Sequence, residues 1–203
     1  GAEDPDQDIG AAWPGAQKYL DTFALHFVVL SPGEDLVVRT MTVLGSGSVN
    51  GFQLVTGGCD GRLHEYCTGK LNSAGCVPDI AGVGVPSASA GFGFHVTAAL
   101  VPPNKTGFLV YSVTGPAHIP FAGATLCLAA PQKRSTIQNS GPGGACGGDY
   151  DIDFTAYAHA PGADPALVVA GTSVWCQYYY RDPTHADGTG VGLSNALRFT
   201  MCF

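Results

Sequence analysis

The sequence predicts a single all-β domain, a jelly-roll-like β-sandwich of about ten strands that is stapled by disulfides. Glycine and proline are frequent, at 29 and 14 of 203 residues, while 12% of the residues are charged and 45% are hydrophobic. This composition is typical of many short strands joined by tight turns, and not of helices with salt-bridged surfaces. Seven cysteines are many for a chain of this length, and they favour an oxidising, extracellular location.

Residues 1–20 are acidic and contain Pro5 and Pro14, so we expect an irregular N-terminal segment ahead of one sandwich domain at residues 21–203. Within that domain, strands are predicted wherever β-branched and aromatic residues alternate between clusters of turn formers. In chain order the predicted strands are Phe23–Leu30, Leu36–Leu44, Gly51–Thr56, Leu63–Cys67, Ser87–Val101, Phe108–Thr114, Ile119–Ala130, Asp149–Tyr157, Gly171–Asp182 and Ala196–Phe203.

Charge and hydropathy limit the classes of partner. Lys and Arg number only 9, with no basic stripe, and the net charge of −7 disfavours nucleic acid and other polyanions. No apolar run approaches the ~20 residues that span a bilayer, so we expect no membrane insertion. The N-terminus lacks a basic region followed by an apolar one, and we expect any export signal to have been removed already.

The cysteine spacings favour disulfides over a thiolate metal site, since no Cys-x-x-Cys pair occurs. The polar loop between Cys67 and Cys76 predicts a short bridge between these two residues. Cys127 with Cys146 is the second predicted pair, and other pairings stay open. Because seven is odd, one cysteine must remain free or bond to another chain.

A candidate calcium site follows from the alternating segment Asp149–Tyr157. Its apolar residues at 150, 152 and 154 are predicted to point inward, while three aspartates about 7 Å apart project from the opposite face. A solvated acidic face is one interpretation of this pattern. The other is a calcium site completed by a loop carboxylate, because calcium takes several hard oxygen ligands. The candidate ligands are Asp149, Asp151, Asp153, Asp182 and Asp187. No other cofactor is implied.

A candidate carbohydrate-binding face follows from the aromatic segment Gly171–Asp182. In an extended strand, the residues at 174, 176, 178 and 180 face one way and those at 175, 177, 179 and 181 the other. The second set combines rings that stack on sugars with polar groups that fix orientation. This set is Trp175, Gln177, Tyr179 and Arg181. The alternative is that the two rings are core residues.

No nucleophile elbow, zinc-protease motif, phosphate loop or dinucleotide fingerprint occurs, so no catalytic residue is predicted. An enzyme with two carboxylates, or with Tyr, His and Arg, brought together by folding stays possible in principle. We expect catalysis to be the less favoured class.

A series of short motifs extends over about residues 60–203. The motifs are Tyr66-Cys-Thr-Gly-Lys-Leu-Asn-Ser-Ala-Gly-Cys-Val-Pro, Pro86-Ser-Ala-Ser, Asn104-Lys-Thr-Gly-Phe-Leu-Val-Tyr-Ser, Pro120-Phe-Ala-Gly-Ala-Thr-Leu-Cys, Asp-x-Asp-Phe, Gln177-x-x-x-Arg-Asp-Pro and Leu193-Ser-Asn-Ala-Leu-Arg-Phe-Thr. Together they resemble an uncharacterised domain found near the C-termini of large secreted surface proteins of planctomycete-like and myxobacterium-like bacteria. The resemblance implies an extracellular β domain of a larger surface protein and brings no activity or catalytic residues.

These observations predict a secreted structural or adhesive module of the cell surface or extracellular matrix. Low charge, many glycines and an odd cysteine suit a chain that assembles with itself through its edges, and an extended N-terminal segment suits strand addition. The alternative is a carbohydrate-binding module, with surface glycans as partners, or less favoured a polysaccharide-active enzyme.

Overall fold

A computed structural model describes residues 61–203, all of which belong to one compact unit of the chain. These residues form eleven strands, a short α-helix α1 and one 3-10 helix at Pro165–Val168. The elements are β1 His64–Tyr66, β2 Asp79–Val83, β3 His95–Val101, β4 Thr106–Ser112, β5 Pro116–Phe121, β6 Ala124–Leu128, β7 Lys133–Arg134, β8 Gln138–Asn139, β9 Gly148–Asp153, α1 Phe154–Ala158, β10 Ser173–Arg181 and β11 Val191–Thr200. The predicted all-β class is confirmed. The predicted N-terminal segment, its boundary at residue 20 and the first three predicted strands lie outside the described residues.

The described strands form two facing sheets and a separate hairpin. The larger sheet has the order β1-β11-β10-β4-β7, with β8 also pairing to β4. The smaller sheet has the order β2-β3-β9, and β5 pairs with β6 alone. All these pairings are antiparallel. We call the face of the large sheet that points away from the small sheet the outer face.

The core lies between the inner faces of the two sheets. The alternation predicted for β10 is confirmed, because Val174, Cys176, Tyr178 and Tyr180 are all fully buried. Rings connect the sheets: Tyr150 of β9 stacks on Tyr178 at 5.2 Å between centroids. The Tyr178 hydroxyl also donates to the Val96 carbonyl of β3 over 2.8 Å, which satisfies a polar group that burial would otherwise penalise.

Strand β2 lies where the sequence predicted only a disulfide loop and an irregular connection. Its pattern is weak because Ile80 is the single large side chain that it buries. Gly82 lies so close to the core that a Cβ there would be 2.8 Å from the Leu63 side chain. A glycine therefore fits here without displacing the Leu63 side chain, where a strand pattern would show a larger residue.

Strand β9 is shorter than the predicted strand over Asp149–Tyr157. Its inward residues are buried as predicted, but the chain turns into α1 after Asp153. The Asp153 carboxylate accepts a hydrogen bond from the Ala156 backbone over 2.9 Å and so caps the helix. An aspartate that continues a strand pattern and an aspartate that starts a helix look the same in the sequence.

The segment predicted as one strand over Ile119–Ala130 is the β5–β6 hairpin. Its two-residue turn consists of Ala122 and Gly123, which have φ angles of +47° and +72°. Such a turn normally carries Asn or Asp with Gly, and an alanine in the left-handed region gives no turn signal.

The disulfides join the four predicted cysteines in a different pairing. Cys67 bonds to Cys127 and Cys76 bonds to Cys146, so the predicted pairs Cys67–Cys76 and Cys127–Cys146 are wrong. Asn72 shapes the turn before Cys76, because its side-chain oxygen accepts from the backbone of Ala74 and of Cys76, each over 3.0 Å. The hairpin packs against the end of β1, where the Tyr66 hydroxyl donates to the Cys127 carbonyl over 2.9 Å, and this contact brings Cys67 to Cys127.

Among the described residues, the free cysteine is Cys176, while Cys202 is also disulfide-bonded. Cys176 points into the core from β10, and burial raises its thiol pKa far above the ordinary value. A buried neutral thiol of this kind behaves as a small apolar side chain. It is therefore unsuited to the contact between chains that an odd cysteine suggested.

Candidate functional site

The predicted carbohydrate-binding face lies on the outer face of the large sheet, but the β5–β6 hairpin divides it. Gln177 is fully buried beneath the hairpin. Its side-chain oxygen accepts from the Cys127 backbone over 3.1 Å, and its amide donates to the Ser194 carbonyl over 2.7 Å. The prediction that Gln177 orients a sugar is not supported, because this side chain joins the hairpin to β10 and β11.

On one side of the hairpin lies a cluster that we call the aromatic patch, which consists of Phe108, Phe121, Tyr179 and Arg134. Tyr179 stacks on Phe108 with 5.0 Å between ring centroids, as their direct pairing across β10 and β4 requires. The ring of Phe121, at the end of β5, is 6.3 Å from that of Tyr179. The Arg134 guanidinium lies 5.8 Å from the centre of the Phe108 ring.

The patch is half open to solvent. Tyr179 and Phe108 are half-buried, Arg134 is exposed, and Phe121 retains 40% of its accessible surface. Arg181 follows two residues after Tyr179 on the same face and is exposed. The stacked ring pair, with the Phe121 ring and the Arg134 guanidinium beside it, offers half-exposed apolar surface next to hydrogen-bond donors.

Trp175 lies on the same outer face, at the other end of β10. It is half-buried, and the Arg198 guanidinium lies 5.6 Å from its ring centre, because the two residues pair directly across β10 and β11. The hairpin over Gln177 separates Trp175 from the aromatic patch. The four residues of the predicted face therefore share one face of the strand without forming one continuous platform.

Lys70 fixes the hairpin turn that presents Phe121. Its buried ammonium group donates to the Ala122 carbonyl over 2.7 Å and to the Val191 carbonyl over 2.9 Å. It also pairs with the Asp187 carboxylate over 2.6 Å and holds the pKa of that carboxyl well below its usual range. The Lys70 ammonium group thereby joins the hairpin turn to β11 and to the loop before β11.

The candidate calcium ligands are divided among three places. Asp149, Asp151 and Asp153 project from the small sheet as predicted. Asp182 is fully buried and accepts from the Ser73 backbone over 2.8 Å, while Asp187 pairs with Lys70. Within residues 61–203, no group of three or more His, Cys, Asp or Glu side chains is arranged to hold a metal ion. Calcium binding stays a prediction from the sequence alone.

We call Asp149, Asp151 and Asp153 the acidic row. His95 reduces the repulsion between these carboxylates. Its ring nitrogen Nδ1 lies 2.7 Å from an Asp151 oxygen, and the other ring nitrogen lies 3.8 Å from Asp153. The hydrogen bond with Asp151 raises the pKa of His95 above its ordinary value. Asp153 has further partners in the backbone N–H groups of Gly93 and Ala156.

We expect the His95 pair to stabilise the fold in acid. Because the folded state binds this proton more tightly than the unfolded chain does, the contribution is complete below about pH 6.5 and is lost as pH rises through the raised pKa. An NMR titration of His95 checks this, with Asp151→Asn as the comparison. The variant should titrate at lower pH than the original protein, and an unchanged midpoint would show that Asp151 is not the cause.

The sequence around each strand identifies only some of the residues that form the aromatic patch. Tyr179 and Arg181 were predicted as ligand contacts from their strand face, whereas Phe108, Phe121 and Arg134 were not. The alternation in β4 does indicate that Phe108 points away from Leu109 and Tyr111. Which strand lies next to β10, and where the hairpin packs, are long-range properties that the alternation does not contain.

No helix in residues 61–203 has the length and apolar character that crossing a bilayer requires. The disulfides are consistent with an oxidising compartment. A comparison with protein-family models, curated proteins and solved structures finds no match for this chain. The resemblance to the bacterial surface-protein domain therefore stays a prediction.

Proposed function

We propose that this chain is a secreted structural or adhesive module of the cell surface or extracellular matrix, and that it adheres by binding glycans at the aromatic patch. The observation that carries the proposal is the stack of Tyr179 on Phe108, bordered by Phe121 and by Arg134, on an exposed sheet face. The proposal keeps both predicted roles, since glycan binding becomes the means of adhesion.

The chemistry of the patch suits a sugar ring. A pyranose presents C–H groups on its faces and hydroxyl groups around its edge, so it can cover an aromatic ring and still reach polar groups beside it. Tyr179 and Phe108 offer half-exposed rings for such contacts, and Arg134 and Arg181 offer donors beside them. A buried apolar ligand would instead need an enclosed cavity.

The surroundings of the patch are rigid, which lowers the entropy that binding costs. The hairpin that carries Phe121 is held by Gln177, by the hydrogen bond from the Lys70 ammonium group to the Ala122 carbonyl and by the Cys67–Cys127 bridge. Three independent kinds of bond therefore fix one wall of the site against the sheet that carries Tyr179.

Self-assembly is the second candidate role, and the edges of the large sheet and strand β5 give it little support. Strand β5 carries Pro116 and Pro120, which lack the N–H groups that strand addition uses, and β1, β7 and β8 have only two or three residues. The edge strands of the small sheet, β2 and β9, are longer and contain no proline. Assembly through the N-terminal segment concerns residues outside the described range. Light scattering of the purified protein over a range of concentrations tests it.

Glycan binding is tested by native electrophoresis in gels that contain single polysaccharides. We expect retardation by at least one glycan and about a fivefold to tenfold loss of affinity in Phe121→Ala, because one ring contact contributes roughly 1 kcal/mol. Phe92→Ala is the matched control, since Phe92 is 78% exposed in the loop between β2 and β3. Equal retardation of both variants would exclude the aromatic patch, and no retardation by a broad panel would contradict glycan binding.

A further inference from the structure

The two outward faces of the sandwich carry opposite charge. The face of the small sheet presents the acidic row Asp149, Asp151 and Asp153. The outer face of the large sheet presents only basic charged side chains from its strands β7, β10 and β11, namely Arg134, Arg181 and Arg198. A domain whose described residues contain nearly equal numbers of acidic and basic side chains is thus strongly polarised.

No carboxylate of the described residues neutralises the three arginines. None of the ion pairs in residues 61–203 involves them. Arg134 and Arg198 instead lie over the rings of Phe108 and Trp175. A guanidinium held over a ring keeps its edge N–H groups free, and these groups match the two oxygens of a carboxylate or sulfate.

The described acidic residues do not compete for this face. Asp164 pairs with Lys133 over 2.8 Å, and Asp182 is buried. Asp187 lies nearest to the hairpin turn, and the Lys70 ammonium neutralises it. The cationic groups beside the aromatic patch are therefore available to a ligand.

We propose that the glycan bound at the aromatic patch is an acidic polysaccharide, with a sugar ring on Tyr179 and Phe108 and its carboxylate or sulfate groups on Arg134 and Arg181. This inference rests on the proposed function and adds the class of ligand. Arg198 over Trp175 provides a second contact for a longer chain on the same face.

The net charge of −7 led us to disfavour polyanions, and the distribution of charge revises that expectation. At physiological ionic strength the Debye length is about 8 Å, so a ligand on one face of a sandwich senses mainly the charges of that face. The acidic row lies across the domain, beyond two packed sheets. Among the described residues, the charged side chains that the strands present beside the aromatic patch are basic.

A glycan fits this surface better than other anionic partners do. A peptide added as a strand to the large sheet needs an open edge, and the edge strands of that sheet, β1, β7 and β8, have only two or three residues. Nucleic acid needs a longer track of basic residues than three arginines provide. An acidic polysaccharide repeats a sugar ring with a charged group. The aromatic rings of the patch can contact the sugar ring, and the arginines beside them can bind the charged group.

The test is calorimetric titration of the full chain with polygalacturonate, chondroitin sulfate and neutral arabinoxylan, with single-stranded DNA as a non-glycan polyanion. We expect the two acidic glycans to bind more tightly than arabinoxylan and to lose most of their affinity between 0.05 and 0.5 M salt, about the range in which the Debye length shortens to a few ångströms. DNA that binds as tightly as the acidic glycans would overturn the proposal, because it would indicate attraction by charge alone.

Arg134→Gln should weaken binding of the acidic glycans about fivefold, the upper range for one exposed charge pair. Lys133→Gln is the matched control, because it removes the same charge from the neighbouring residue, which points to the other side and pairs with Asp164. If arabinoxylan binds as tightly as the acidic glycans and Arg134→Gln has no effect, the ligand class is wrong while glycan binding stands. If no glycan binds, both proposals fail.

Discussion

Replacing Cys76 and Cys146 together by alanine lowers the free energy of unfolding by about 4 kcal/mol, the largest single effect that we expect. Their bridge joins residues with a sequence separation of 70. Cross-linking a loop of that length removes much of the entropy of the unfolded chain, and the chain-entropy estimate is about 4 kcal/mol. The short bridge between Cys67 and Cys76 predicted from the sequence would contribute only about 2–3 kcal/mol. Denaturation in urea, followed by circular dichroism, measures the difference.

The same double variant distinguishes the two pairings by its thiols. With Cys76 bonded to Cys146, the variant keeps the Cys67–Cys127 bridge intact, and alkylation in denaturant gains no new site. With the short bridges, the variant would release thiols at Cys67 and Cys127. Cys176→Ala is the control for loss of a buried cysteine without a bridge, and we expect it to cost about 1 kcal/mol.

Replacing Gln177 by leucine lowers the free energy of unfolding by about 3 kcal/mol. Leucine has a similar volume and leaves the Cys127 N–H and the Ser194 carbonyl without a partner beneath the hairpin. Each buried polar group without a partner costs about 1–3 kcal/mol. Because the hairpin carries Phe121, we expect this variant also to bind glycans more weakly. Urea denaturation and gel retardation of one preparation measure both effects.

Gln132→Leu is the matched control for Gln177→Leu. The Gln132 side chain donates to the Leu128 carbonyl over 3.0 Å, but the residue is exposed and water can replace the bond. We expect its cost to stay within about 0.5 kcal/mol. Equal losses in the free energy of unfolding for the two variants would show that the hydrogen bonds of Gln177 do not stabilise the packing of the hairpin on β10 and β11.

The fold class and the faces of the long strands were predictable because they depend on local alternation. The buried and outward sets of β10, and the acidic row of β9, follow from side chains that alternate along an extended chain. The end of β9 was not predictable in this way, since Asp153 continues the alternation and also caps α1. Local patterns thus identify strands better than they identify where strands end.

The disulfide pairs and the aromatic patch depend on contacts between distant segments. Proximity in sequence suggested Cys67 with Cys76, but the packing of the hairpin against the end of β1 brings Cys67 to Cys127 instead. Of the four patch residues, Tyr179 was predicted from its strand face, and Phe108, Phe121 and Arg134 were missed because the order of strands decides which side chains meet. Gln177 was misassigned because nothing in its own strand indicates a hairpin packed over it.

The central claim is that glycans bind at the aromatic patch, and NMR mapping of the binding surface tests it most directly. The labelled protein is titrated with an oligogalacturonate, and the shifts of its backbone and arginine signals are followed. We predict that the shifts concentrate at Phe108, Phe121, Arg134 and Tyr179. Shifts concentrated at the acidic row, or none at saturating ligand, would contradict the account.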